Sequence, residues 1–394
     1  MRNLSDAPLF SVGFRPLFLA GAGFAVLAVM VWGLWLHGHW LALQPAGGML
    51  AWHRHEMPFG FAAAIVGGFL LTAVPNWTGI APLRGWPLIA LVSVWLAGRL
   101  AWWVPLPVGA VLLVQGAFLP LLAGLLGRDL IAARKRDNYP IVLVLALMAG
   151  CQALTLSGLH LDDAGLQRQG VLAALWLIAA LMTVIGGRVL PFFIQRGLNR
   201  PPAPPAGAWP TRLLLPASLL IAVTFAASLL IAVTFAAGLN DSPSLWLAAL
   251  FVLVGGLQVW RLIRWHDRGL WRVPLLWSLY LAYGWMALAT LAMALWHLEL
   301  IGQQSLATHA LAVGGVGGLI LAMIARVCLG HTGRLLQPPK GMVSGFALVL
   351  AAAACRVWVV PFSSLGLGLS VLLWCAAFGL FLLRYTGILF RPRL

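Results

Sequence analysis

The chain has 394 residues, of which 62% are hydrophobic and only 9% charged, with a mean hydropathy of +0.96. These values exclude a soluble globular domain. The formal charge of +16 would fit a nucleic-acid binder if read alone, but the basic residues mark one side of a membrane instead.

Apolar runs of about 20 residues can each span about 30 Å of hydrocarbon as helix. Roughly twelve such runs occur, at 16–36, 58–77, 86–104, 106–126, 140–159, 170–194, 213–238, 244–263, 273–297, 304–328, 341–360 and 365–385. The predicted fold is an all-α polytopic membrane protein forming one transmembrane domain over 1–394, with lipid as its surroundings. The first run lacks a small-residue cleavage site and reads as a retained helix. Arg2 and Arg15, Arg84, Arg128 with Arg134-Lys135-Arg136, then Arg196, Arg200 and Arg212 fall in alternate connections. Arg264, Arg268 and Arg272, Arg334 and Lys340, and Arg391 and Arg393 continue the alternation, while Glu56, Asp162, Asp163, Asp241 and Glu299 occupy the opposite connections. The positive-inside rule then predicts that both termini are cytoplasmic, and the same placement of charge argues against a nucleic-acid partner.

Just ahead of the second run stands Trp52-His53-Arg54-His55-Glu56-Met57, two imidazoles and a carboxylate at the mouth of a membrane helix. Ionisable groups in such a place are functional suspects. The third run carries Arg99 and the sixth carries Arg188. The seventh contains a perfect tandem decapeptide, Ser218 to Ala227 repeated as Ser228 to Ala237, which predicts a tilted, protruding or broken helix; the prolines at 201, 202, 204 and 205 before it predict a stiff connection. Histidine 309 opens the tenth run, which closes on Arg326 and Gly330-His331-Thr332-Gly333-Arg334, and the eleventh holds Arg356. The cysteines, Cys151, Cys328, Cys355 and Cys375, form no CxxC pair and read as small packing residues.

An internal similarity links two of these segments. The separation from His55 to Thr78-Gly79 equals that from His309 to Thr332-Gly333, and each segment is followed by a helix with an embedded arginine, Arg99 before Pro105 and Arg356 before Pro361. A fainter middle copy runs through Arg188-Val189-Leu190-Pro191. Three four-helix units in one orientation follow, at 1–130, 131–270 and 271–394.

Seven of the nine histidines, at 37, 39, 53, 55, 160, 297 and 309, fall at the outer face on this topology. Imidazole suits copper and haem iron, and an embedded arginine can neutralise a haem propionate. The candidate metal ligands are therefore His53, His55 and His309, with His55 and His309 sandwiching one iron and Arg99 and Arg356 beside its propionates. Glu56 is the candidate for proton transfer or for orienting an imidazole. An inner-face cluster of Trp77, Arg188, Arg326 and His331 is a candidate second cofactor site. At a rise of 1.5 Å per residue His331 lies roughly 33 Å from His309, too far to share its metal.

The segments Phe10 to Pro16, Trp52 to Met57, Gly68-Phe69-Leu70-Leu71-Thr72-Ala73-Val74-Pro75-Asn76-Trp77-Thr78-Gly79 and Arg326 to Arg334 resemble the NnrS family. The resemblance implies a bacterial inner-membrane protein with haem, of the b type, and copper, tied to denitrification and to defence against nitric oxide stress. It implies nitric oxide or another small nitrogen oxide as ligand and, for a reductase, a quinol or cytochrome as electron donor. A twelve-helix plan with haem ligands on the second and tenth helices is also similar to the haem-copper oxidases and nitric oxide reductases, although the sixth and seventh runs carry no histidine for a three-histidine copper centre. Two other functions fit the same features: a transporter or permease for haem, copper or a nitrogen compound, and a haem-based sensor without turnover.

Overall fold

The computed structural model describes residues 4–40, 42, 44–200 and 210–394, with the side chains of 108 and 210–221 left aside. Arg2, the prolines between 201 and 205 and the side chain of Arg212 lie outside the described residues. Every described element is helical. The long helices are α1 (Phe14–Leu36), α2 (Gly48–Thr78), α3 (Trp86–Ala101), α4 (Gly109–Ala132), α5 (Arg136–His160) and α6 (Ala164–Gly197). They continue with α7 (Pro210–Ala236), α8 (Leu245–Trp265), α9 (Pro274–His297), α10 (Gln304–His331), α11 (Met342–Val359) and α12 (Leu365–Phe390). Among the described residues ten of these are long and apolar enough to cross a membrane, and the shorter apolar α3 and the described part of α7 fall at the two remaining expected runs. The chain is a multi-pass membrane protein. Its outward faces carry leucines such as Leu113, Leu372 and Leu383, all largely exposed, as a hydrocarbon solvent permits.

Most successive helices pack on one another, and α1 packs against both α2 and α12, so first and last elements meet. The start of α1 is tied to the end of α12 by Arg15, whose Nη1 donates to the carbonyls of Leu389 and Arg391 at 2.9 and 2.6 Å. The Leu394 amide donates to the Thr332 carbonyl at 3.0 Å, bringing the end of α10 to the same face. Both ends of the described chain therefore lie on one side.

Three helices are far more enclosed than the rest. In α2, α6 and α10, 83% of the most apolar stretch is buried, against 33–56% in the other spans. α6 packs against the early part of α2 and against the π segment of α10, and so links the two.

Two of the central helices are not uniformly α-helical. α2 is α-helical over Gly48–His55, widens to a π-helix over Glu56–Ala62 and returns to α over Ala63–Thr78. α10 does the same, α-helical over Gln304–His309, π over Ala310–Gly317 and α over Gly318–His331. A third π segment, Cys355–Val359, ends α11. In α2 the wide turn contains Pro58, which has no N–H for an α ladder. In α10 it is glycine-rich, and Gly314 lies so close to Trp285 that a Cβ there would come within 2.5 Å of the indole. α2 and α10 also end alike: Thr78 and Thr332 bond back to the carbonyls of Val74 and Cys328, and Gly79 and Gly333 adopt φ of +77° and +78°.

α2 thus begins at Gly48 rather than at 58, and the Trp52 to Met57 motif lies inside the helix instead of ahead of it. The decapeptide repeat continues as helix to Ala236; at 27 residues α7 measures about 40 Å, longer than the hydrocarbon, and accommodates the excess without a break.

Candidate functional site

Between α1, α2, α6, α10, α11 and α12, toward the end of the bundle opposite the termini, lies a cavity of about 490 Å³, within the range of small-molecule and cofactor sites. Its deep walls are apolar, with Phe61 from α2, Leu175 and Ile178 from α6, Val313 and Val316 from α10 and Trp374 from α12. Its ionisable groups are two imidazoles, His53 and His309, and three guanidinium groups, Arg54, Arg168 and Arg356, beside the neutral polar side chains of Gln304, Ser305, Thr308 and Ser370. No Asp or Glu lines it. All three π segments contribute to the wall, through Met57 and Phe61, through Ala312 and Val313, and through Arg356; such segments recur at functional sites because they re-aim side chains.

The state of His309 follows from its partners. Its Nδ1 lies 2.8 Å from the Ser305 carbonyl, which can only accept, so Nδ1 carries the proton. Nε2 then has the lone pair, and the Arg356 Nη2 approaches it at 3.3 Å. A ring fixed by a backbone carbonyl through one nitrogen is how metal-binding histidines are oriented. His53 stacks on Trp32 with ring centroids 4.4 Å apart and planes within 8°, and its buried Nδ1 has no hydrogen-bond partner. Such an orphaned buried nitrogen needs an explanation.

His55 faces elsewhere. Residues two apart on an α-helix point about 200° from one another, so His53 turned toward the cavity sends His55 to the other side of α2. There it is fully buried, its Nδ1 donating to Glu56 Oε1 at 2.9 Å and its Nε2 accepting from Gln152 of α5 at 3.2 Å. Glu56 also accepts from the Trp102 indole at 2.7 Å and pairs through Oε2 with Arg99 Nε at 2.5 Å. Arg99 donates further to Gln115 Oε1 at 2.8 Å, and its Nη1 meets the Phe59 carbonyl at 3.4 Å. The Trp95 indole takes the Gly60 carbonyl at 2.9 Å. The wide turn of α2 is therefore held by α3, and His55, Glu56 and Arg99 form a buried, ion-paired polar knot off the cavity.

Of the expected site residues, the cavity brings together His53, His309 and Arg356, and leaves out His55, Arg99 and Glu56. The expected pairing of His55 with His309 is replaced by His53 facing the same space as His309. The inner-face candidates are held by separate partners. Trp77 packs against the core, Arg188 bonds Asn138 Oδ1 at 3.1 Å, Arg326 lies 3.8 Å over the Phe193 ring, and the His331 ring is 5.9 Å from Phe14. Arg54 of the Trp52 to Met57 motif joins the cavity without having been a candidate ligand, and side chains that the sequence did not single out are Trp32 and Arg168 in the cavity and Gln115, Gln152, Trp95 and Trp102 in the knot. Gln115 and Gln152 carried a usable signal, since amides inside apolar runs need partners.

The family model described as NnrS protein matches residues 8–393, nearly the whole chain. The chain belongs to the NnrS family. No curated protein and no solved structure matches it. For this NnrS protein the donor set can be compared with the cofactors its family implies. Two imidazoles, one of fixed tautomer and one with an orphaned nitrogen, on an apolar slot bordered by guanidinium groups suit haem, a flat apolar macrocycle with two carboxylates. A copper centre fits less well: among the described residues no three His, Cys, Asp or Glu side chains gather closely enough to hold a metal ion, and no step is assigned to copper.

Proposed function

We propose that this NnrS protein is an inner-membrane haem protein, with both termini cytoplasmic, that binds nitric oxide at its outer face and serves defence against nitrosative stress or denitrification. The observation that carries this reading is the shared cavity of His53 and His309 between the three most enclosed helices. His53 and His309 would hold haem b, His309 through Nε2, and the bound iron would supply the ligand-binding and redox chemistry. Ser305 fixes the His309 ring and Trp32 the His53 ring. The apolar walls from α6, α10 and α12 exclude water and admit a small uncharged gas. If nitric oxide is reduced, electrons come from a quinol or a cytochrome. The repeat units 1–130, 131–270 and 271–394 belong to the same reading, since the enclosed helices recur at every fourth span.

Optical spectra of the purified protein, oxidised and dithionite-reduced, test this together with His53→Ala, His309→Ala and His55→Ala. Wild type is expected to carry haem, the first two variants to lose or change its signature, and His55→Ala to keep it. Haem absent from wild type produced with ample haem overturns the reading and turns attention to transport, measured as uptake into liposomes. Tight nitric oxide binding without turnover would identify a sensor or carrier.

A further inference from the structure

We propose that Arg356 is the cation that receives a carboxylate of the cavity's ligand, and that it is available because position 310 is alanine where its counterpart position carries Glu56. This inference rests on the haem reading above and names which residue recognises the ligand's charge.

His55 and His309 stand at matching places: each is the last α-helical residue before a π segment, and each helix ends in the same Thr-Gly cap. The next residue differs. After His55 comes Glu56, whose carboxylate captures Arg99 at 2.5 Å and, with Gln115 and the Phe59 carbonyl, engages the guanidinium in a fully buried network. After His309 comes Ala310, which offers no charge. The corresponding Arg356 stays half-buried on the cavity wall, 3.2 and 3.3 Å from the two His309 ring nitrogens and 3.3 Å from Ser305 Oγ. No carboxylate lies within ion-pairing distance of it among the described residues, whereas Arg168 is neutralised by Asp241 at 2.7 Å.

A guanidinium in a low-dielectric wall without a counter-charge is costly and is relieved by an incoming anion. Its planar fork matches a carboxylate in particular. One arginine of the matching pair is thus spent on structure and the other kept for a ligand, and a single side chain decides which.

The test is titration of the full-length protein, purified from haem-deficient cells, with haemin and with haemin dimethyl ester, which retains the iron but has no free carboxylate. Wild type is expected to favour haemin. Because a charge-assisted hydrogen bond is worth about 1.5–3 kcal/mol, Arg356→Gln and Ala310→Glu should each reduce that preference roughly tenfold or more, while Ala310→Gln retains it and the ester's affinity stays at the wild-type value. If Ala310→Glu fails to fold, Arg356→Gln decides the role of the guanidinium. Wild type binding both compounds equally overturns this inference and leaves the haem reading standing, whereas binding neither overturns both. Loss of preference in Arg356→Gln with retention in a folded Ala310→Glu overturns the part assigned to position 310.

Discussion

Glu56 has every feature of a catalytic carboxylate in sequence, an acid beside two histidines in a membrane helix, yet its surroundings give it a different task. Both its oxygens are engaged, by His55 and Trp102 at 2.9 and 2.7 Å and by Arg99 at 2.5 Å, and it is wholly buried. A buried ion pair adds little by itself, but removing one partner strands the other charge. Glu56→Gln is therefore expected to lose about 3–5 kcal/mol of stability, seen as a lower unfolding temperature in detergent. Glu56→Gln combined with Arg99→Met, which removes both charges, should recover most of that loss. A Glu56→Gln protein as stable as wild type would show that the pair does not carry the fold here. Residue identity made Glu56 conspicuous in the sequence; the carboxylate's partners Arg99, in α3, and Trp102, just after it, lie up to 46 positions away and appear only once the helices pack.

At the scale of the element, the π segments decide what faces the cavity. Hydrophobic periodicity correctly marks α2 and α10 as helices, but a 3.6-residue period loses phase where one turn holds an extra residue, and Pro58 made 58 look like a start although the helix already runs from Gly48. The tight fit around the α2 turn makes a direct prediction. A Cβ at Gly60 would meet Glu56 Oε2 at 2.8 Å and the Phe24 ring at 2.9 Å, whereas one at Gly23 meets nothing within 4 Å. Gly60→Ala should cost about 1–3 kcal/mol by overpacking and Gly23→Ala close to nothing, measured as unfolding temperatures of the two variants side by side. Equal values would mean that the turn has room to relax.

For the whole molecule, the contacts of Arg15 with Leu389 and Arg391 put both described ends on one face, and the alternation of basic residues predicts that this face is the cytoplasmic one. A fluorescent reporter that matures only in the cytoplasm is expected to shine when fused to the C-terminus. Cysteines placed at Asp162 and Glu299 should react with a membrane-impermeant maleimide from outside. The reverse pattern would invert the topology and move the cavity to the inner face.

Composition and periodicity by themselves determined that this chain is an all-helical membrane protein, because twenty-residue apolar runs have no other stable state in hydrocarbon. Local motifs were enough to single out His53, His309 and Arg356, since charged and imidazole groups are expensive there. Tertiary structure alone decided that His53 rather than His55 joins His309, that Arg99 is withdrawn into a knot with Glu56, and that Trp77, Arg188, Arg326 and His331 do not share one set of partners. The physical reason is that spacing along a helix sets only the angle between two side chains. Which of them meets the cavity depends on how the helix is rotated, and that rotation is set by distant partners such as Arg99, Gln152 and Trp102 packing against its other side.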